Sequence, residues 1–542
     1  MSPNRKRTSG HPKPPGPPAR RRWIPSHEGA VAALLAVLFV ALAFSSSLSK
    51  SLTWDEPSYI SAGYIYLTRG DFRFNPSHPP LLQDLVALPL VFQKLRVPPE
   101  DFSYWERTRN PVVAFGAQFI FGSGNDPLRI AFWARLPILL LGTALVVMVY
   151  LWGRELYGPK PALIGTVLVA LSPNLLAHAR LATEDLGCTA LMFASVWTFW
   201  RGIQRPGYRA WIVCGVVTGL TLLAKYTSLL LGPIFLALLG ALWIRRHPFA
   251  RLPRSVAFSL GIVGGVAVLV VGAGYNFSFD WSLYVKGARS IYTDLVAEGY
   301  QYYFVGEFSE EARWYYALGA FLMKTPVSTL LLLVAAAAFA VRDRDHHEAS
   351  LFLLVPALVV VGASFFDAAS IGLRRILPAF PFLLLFASQT LAGGRRRPVV
   401  VGVLVLVAWS AVQTLRIHPD YLSYFNVAVG GPKAGPRLLD DSNVDWGQDL
   451  PALAAWQLAH PEASPLRLMY FGKANPAAYD VDAVPMRCEE IVQPRPGYYA
   501  VSAHLLVQFR RLGVLAGRDL DWLKRYEPIG RAGWSIYIFR FE

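Results

Sequence analysis

The chain has 542 residues, 54% of them hydrophobic and only 16% charged, and a mean hydropathy of +0.35, which leaves too little polar surface for a soluble protein of this size. Its formal charge of +16 does not call for nucleic acid, because Lys and Arg gather in the first segment and in short loops between apolar runs. Three cysteines far apart in sequence (Cys188, Cys214 and Cys488) have no metal-type spacing and make no disulfide framework, so helix packing must hold the fold.

Residues 1–28 are rich in Pro, Arg and Lys, with Arg20, Arg21 and Arg22 just ahead of the first apolar run, and read as a disordered basic cytoplasmic tail. The run at 29–48 is too long for a signal-peptide core and lacks a small-residue cleavage site, so it reads as an uncleaved membrane span. Ten further runs follow, near 132–152, 161–178, 186–201, 209–224, 227–245, 255–274, 326–341, 350–366, 374–392 and 398–415, for about eleven spans in all. Only Lys225 and Tyr226 separate the runs at 209–224 and 227–245, which read as two short spans or one broken element.

With the tail inside, Arg154 and Lys160, Arg201, Arg205 and Arg209, Arg245 to Arg254, Arg342 and Arg344, and Arg395 to Arg397 all fall on the cytoplasmic side. A one-span error early in the chain would break that alternation. The outer face then carries the loop 51–130, a short loop around Glu184 and Asp185, the aromatic loop 275–325 and everything after Arg416. Within the first loop, 57–67 and 79–94 read as short helices, and Tyr59, Tyr64 and Tyr66 suit a helix lying in the interface. After Arg416 the apolar runs shorten to strand length at 466–471, 498–502 and 534–541, with helical stretches at 450–458 and 503–515. The expectation is an α-helical polytopic membrane protein whose catalytic part is 29–415, followed by a small extracytoplasmic α/β domain over 416–542.

Several outer-face residues can carry chemistry. Asp55 and Glu56, between Trp54 and Pro57, read either as loop acids capping the next helix or as site carboxylates. Glu184 and Asp185 form a second acidic pair, with Thr183 placed as a cap. His78, in the run 75–80 (NPSHPP), could orient a phosphate or bond its own loop. Arg374 and Arg375 oppose the positive-inside trend; they read as snorkelling cations or as fixed guanidinium donors for an anionic headgroup. Lys225 and Lys324 are outer-face cations with the same two readings. Acids and cations on one face suit a lipid-phosphate donor, with a carboxylate taking a proton and cations stabilising the departing phosphate. There is no Walker loop and no dinucleotide fingerprint. The oxygen-rich run 441–449 lacks the spacing of a calcium loop, and turns and helix caps explain it more simply.

Trp54-Asp55-Glu56, the 75–80 run, 180–185 and 374–378 resemble the GT-C membrane glycosyltransferases, in the branch of glycosyltransferase family 39 with the protein O-mannosyltransferases and lipid A aminoarabinose transferases. The runs 303–326, 418–426 and 441–449 look like a bacterial subgroup with an added C-terminal domain. The resemblance implies inverting transfer of a hexosyl or pentosyl unit from a polyprenyl-phosphate donor to a protein, lipid or envelope glycan, outside the bacterial inner membrane. It implies Asp55 as general base and Asp185 as the family's second catalytic-site acid, which helps position the acceptor or the active-site loop, with Glu56 and Glu184 supporting the acceptor or active site. A donor-phosphate role is implied for Arg374 and Arg375, with His78, Lys225 and Lys324 beside them; His78 stands where some relatives have a lysine. No cofactor, metal or nucleic-acid partner is expected. The competing function is a transporter or flippase of lipid-linked glycans, which should place ionisable groups near the bilayer midplane instead. A non-catalytic membrane anchor would need far fewer spans.

Overall fold

Lipid offers backbone N–H and C=O groups no partner, so each apolar run must close its own hydrogen bonds as a helix. The computed structural model describes residues 27–98, 111–246, 254–277, 282–289, 302–366 and 371–542. The basic tail up to residue 26, Arg251, and parts of the two long loops 51–130 and 275–325 lie outside the described residues. Each of the expected apolar runs is helical. Six described helices are long and apolar enough to cross a membrane: His27–Leu48, Pro127–Tyr157, Tyr226–Ile244, Ala257–Gly274, His347–Phe366 and Arg397–Arg416. Two bent pairs raise the number to eight, Pro159–Ala170 with Pro173–Ala179 at 59° and Tyr316–Lys324 with Val327–Ala340 at 112°.

The other expected spans are helical but shorter, more polar or interrupted. Tyr208–Leu222 has 15 residues, a rise of about 22 Å against about 30 Å of hydrocarbon. Glu184–Gln204 opens on two buried carboxylates, and the 373–391 stretch alternates 3-10 and α turns around Pro378 and Pro381. The break at Lys225 is real: its extended backbone (φ −165°, ψ 144°) separates two elements. Small residues let helices approach closely. A Cβ on Gly215 or Gly219 would lie 2.7 Å from the Cβ of Val266 or 2.6 Å from that of Val270, on the facing helix Arg254–Gly274.

We label the two helices of the first long loop α1 (Glu56–Arg69) and α2 (Pro80–Ala87). The second is shorter than expected because the chain tightens into a 3-10 turn at Leu88–Leu90, where Pro89 has no amide hydrogen to donate. Tyr59, Tyr64 and Tyr66 do not face an interface; all three are buried, with Tyr64 against Phe119 and Tyr66 against Phe72 at 5.2 Å between ring centroids. The loop folds over α1 and covers them.

Strands β1 (Tyr302–Phe304) and β2 (Glu307–Ser309) form a small hairpin. The C-terminal sheet contains β3 (Leu466–Met469), β4 (Ala483–Pro485), β5 (Gly497–Ser502), β6 (Gly530–Ala532) and β7 (Ile536–Phe541), in the order β4-β3-β5-β7-β6. The β4–β3 and β3–β5 pairs are parallel, and β5–β7 and β7–β6 are antiparallel. Side chains alternate along the strands as the pleat requires. Ala500, Ile536 and Ile538 pack on one face with Leu450 and Leu453, while Tyr499, Val501, Tyr537 and Phe539 join Leu506, Phe509 and Trp522 on the other. Between the helices and this sheet, residues 417–449 bond to both.

Candidate functional site

Asp55 occupies the cap position of α1, yet its side chain makes no cap bond. Its Oδ2 instead accepts from Arg374 Nη1 at 2.8 Å, across 319 positions of sequence. The capping alternative is therefore not the one realised. Arg374 is held from two sides: Leu373 N donates to Asn443 Oδ1 at 3.0 Å, and the guanidinium lies 4.4 Å over the Trp446 ring. Trp446 O in turn accepts from Trp54 N at 3.0 Å, so the 441–449 run aligns both partners of the ion pair. Both stay partly open, with side chains 13% and 24% exposed for Arg374 and Asp55.

The second acidic pair is buried at the start of Glu184–Gln204. Asp185 Oδ1 accepts from Lys225 Nζ at 2.5 Å, and His178 Nδ1 lies 3.8 Å from its other oxygen. Glu184 Oε1 accepts from Gln83 Nε2 at 3.1 Å, and its Oε2 is 2.8 Å from His78 Nδ1. The other ring nitrogen of His78 faces Tyr59 Oη at 3.4 Å. Burial, then the fields of Asp55 and Glu184, push the Tyr59 phenol well above its ordinary value of 10.0, so it stays a neutral donor. Tyr59 thus touches His78 and lies in the fields of acids from both pairs, Asp55 from the first and Glu184 and Asp185 from the second. Arg375 is half-buried in the same 3-10 turn as Arg374.

Two expected site residues are employed otherwise. Lys324, expected as a phosphate contact, is bonded within the protein. Its Nζ donates to Leu422 O at 2.8 Å, Tyr424 O at 3.1 Å and Asn443 O at 2.5 Å, which uses all three ammonium hydrogens. Glu56, wholly buried, offers no edge to an acceptor. Its carboxylate receives Arg135 Nε and Nη2, Thr53 N and Oγ1, and Ala182 N, five bonds between 2.7 and 3.0 Å. Its support of the site is indirect, through the loop that carries Asp55.

The sequence pattern did not single out Arg135 or Lys50, and it marked Tyr59 as an interfacial ring rather than a site residue. Arg135 carried a signal, since an arginine inside an apolar span is expensive and has a reason to be there. Lys50 ion-pairs with Asp420 and with Asp449, the latter at 2.5 Å, and Asp449 Oδ2 also receives Trp534 N, Ser535 N and Ser535 Oγ. The other acids of this stretch serve as caps and tethers. Asp445 accepts from Gly447 N and His504 N, and Asp440 from His504 Nδ1 at 2.9 Å and Gln508 Nε2 at 3.1 Å. Burial pushes Asp445 up to about 7.

Burial disfavours a charged His504, but the Asp440 carboxylate outweighs it and lifts the imidazole to about 9. A raised imidazole stabilises the fold fully below its unfolded pKa near 6.5 and loses that contribution as pH rises through about 9. The unfolding temperature is expected to fall across that window, by the equivalent of at most about 3 kcal/mol at 1.36 kcal/mol per unit. His504→Gln should flatten that limb, which a thermal-unfolding series from neutral to alkaline pH will read.

Residues 119–272 match a protein family described as dolichyl-phosphate-mannose-protein mannosyltransferase. The match includes Arg135, His178, Glu184, Asp185 and Lys225, and leaves Asp55, His78 and Arg374 outside it. An undecaprenyl phosphate-alpha-4-amino-4-deoxy-L-arabinose arabinosyl transferase of Pseudomonas fluorescens is 28% identical over 319 residues, covering 56% of this chain and 52% of that protein. The chain thus spans about half the length of this curated relative. Two solved structures superpose loosely. ArnT from Cupriavidus metallidurans bound to undecaprenyl phosphate has a TM-score of 0.47 at 14% identity, covering 95% of this chain and 98% of that one. The Archaeoglobus fulgidus oligosaccharyltransferase tethered to an acceptor peptide has a TM-score of 0.45 at 12% identity, covering 94% and 74%. The chain is a mostly helical, multi-pass membrane protein with a small C-terminal sheet. Its likeness to the GT-C membrane glycosyltransferases, read first from short motifs, is borne out by the family match and the arabinosyl transferase relative.

Proposed function

We propose that this protein is an inverting glycosyltransferase that moves a sugar from a polyprenyl-phosphate donor to an acceptor hydroxyl or amine at the extracytoplasmic face. The observation that carries this reading is the Asp55–Arg374 pair, a carboxylate and a guanidinium 2.8 Å apart and both partly open. Asp55 takes the acceptor's proton as its oxygen or nitrogen attacks the anomeric carbon. The bond from that carbon to the phosphate oxygen breaks on the opposite side, and the phosphate leaves with the electron pair. Among the described residues Arg374 spends one of its five donors on Asp55, which leaves others for the developing phosphate charge. Lys225, already beside a carboxylate, adds positive field, and His78, likewise beside one, adds an imidazole that can hydrogen-bond. The name of the Pseudomonas relative supports a polyprenyl-phosphate donor; the acceptor class stays open to protein, lipid or envelope glycan. The reaction on this reading needs neither a nucleotide sugar nor a divalent metal, and the N-terminus lies in the cytoplasm.

The test is a transfer assay in proteoliposomes with a radiolabelled undecaprenyl-phosphate sugar, an extract of envelope acceptors, excess chelator and no nucleotide. Label is expected to become covalently attached to an acceptor while free undecaprenyl phosphate accumulates. Label that crosses the bilayer still attached to its lipid would assign transport instead.

A further inference from the structure

Lys324 is the last residue of the helix Tyr316–Lys324 and is 2% exposed. Among the described residues no acid pairs with its ammonium. A buried cation without a counter-ion is costly, and dipoles must offset the cost. Three carbonyls do so directly, those of Leu422, Tyr424 and Asn443. The carbonyl end of its own helix and the face of Phe425, 4.6 Å away, add to them. One ammonium thereby draws two separate segments of chain, 422–424 and 443, to a single point.

That point is itself held in place. The chain turns by 112° between this helix and Val327–Ala340, and the carbonyls at the bend are taken. Asn426 Nδ2 donates to Leu322 O at 2.6 Å and Thr325 O at 2.9 Å, Asn426 N to Met323 O at 2.9 Å, and Asn174 Nδ2 to Lys324 O at 2.7 Å. A second side chain of the same helix reaches the same place: Tyr316 Oη, also buried, accepts from Asn443 Nδ2 at 2.8 Å. Asn443, wholly buried, is therefore gripped from one helix at both its backbone carbonyl and its side-chain amide. Its Oδ1 is left to receive Leu373 N at 3.0 Å, one residue before Arg374. Beside it, Ser442 Oγ donates to Ile371 O at 3.0 Å, so neighbouring residues of the two segments are tied as well. The Arg374 guanidinium then rests on Trp446, which belongs to the same gripped segment. An arginine side chain has many rotamers to lose, and a fixed backbone and a fixed ring beneath it reduce that cost when a ligand binds.

We propose that Lys324 and Tyr316 are positioning residues for Arg374, acting through Asn443 and touching no substrate themselves. The proposal rests on the reading of Arg374 as the group that meets the donor phosphate. Its test titrates the full chain in phosphatidylcholine nanodiscs with undecaprenyl phosphate, with native mass spectrometry reading the bound lipid and thermal unfolding reading the fold. Arg374→Gln is expected to weaken binding about thirtyfold, the size of one hydrogen bond to a charged group. Lys324→Met should lose about tenfold and Tyr316→Phe about threefold. In the Arg374→Gln background neither should cost anything further, because a displaced guanidinium and an absent one are then equivalent. A clasp that only held the fold together would lower the unfolding temperature and leave the affinity of the folded protein unchanged. Tyr316→Phe removes a single hydroxyl, and it decides the question even where Lys324→Met does not fold. Wild-type affinity in Tyr316→Phe or in folded Lys324→Met, or the same loss repeated in the Arg374→Gln background, would overturn the proposal. Wild-type affinity in Arg374→Gln is a different result: it would overturn the donor-phosphate reading of Arg374 and the proposal with it.

Discussion

Asp55→Asn is expected to lower sugar transfer by about 10²- to 10⁴-fold, the range a positioned general base supplies, while the protein unfolds at nearly its normal temperature. The reason lies in what the substitution keeps. Asparagine has the same size, and its amide oxygen can still accept from Arg374 Nη1, so the 2.8 Å contact survives in shape. It cannot accept the acceptor's proton at neutral pH. The cost in stability should be small, because the pair is partly exposed and such ion pairs contribute about 0–1 kcal/mol. Asp55→Glu restores a base but moves it along one extra methylene, and should recover part of the rate. Initial rates in proteoliposomes beside thermal unfolding separate chemistry from folding. Near-normal transfer by Asp55→Asn would remove this residue as the base.

Much of the architecture was legible because hydropathy and period are local properties. The apolar runs all became helices, and the strand-length runs after Arg416 became β3, β5 and β7. The three-residue strands β4 and β6 carry too little pattern to be read, and they exist because neighbouring strands offer them edges. The site was legible only as a set of residues, not as a set of roles. Asp55 and Glu56 are neighbours in one motif, yet one faces Arg374 and the other Arg135. Successive side chains entering a helix point about 100° apart, and which direction holds the substrate depends on helices far away in sequence. Lys324 looked equivalent to Lys225 for the same reason. Its partners, the carbonyls of Leu422, Tyr424 and Asn443, lie about a hundred residues downstream, where no local pattern could announce them.

The largest loss of stability is expected from Arg135→Met, about 3–5 kcal/mol, the range for breaking a buried ion pair from one side. Methionine fills similar volume, so the loss is electrostatic rather than a packing defect. It removes the cation that hydrogen-bonds the wholly buried Glu56 carboxylate, and it frees the carbonyls of Ser47, in the last turn of the first membrane helix, and of Lys50 and Ser51 just beyond it. Glu56→Gln breaks the same pair from the other side. An amide keeps one oxygen but turns the other acceptor into a donor, against either Thr53 N or Ala182 N. The pH dependence gives an independent check. Burial alone would raise the Glu56 carboxyl, but Arg135 outweighs it and holds it below its ordinary 4.5. A depressed acid contributes its stability above the unfolded value and loses it as pH falls through the folded one, so wild type should lose stability on acidification from about pH 4.5 downward, and Glu56→Gln should make that limb shallower, leaving the share that Asp185 and Asp449 contribute. The double variant should cost less than the sum of the two singles, because the ion pair is counted once. It should not return to wild type, since the carbonyls of Ser47, Lys50 and Ser51 still lack Arg135. Strict additivity would mean that Arg135 acts only through those carbonyls, and that Glu56 holds the Asp55 loop through Thr53 and Ala182 alone.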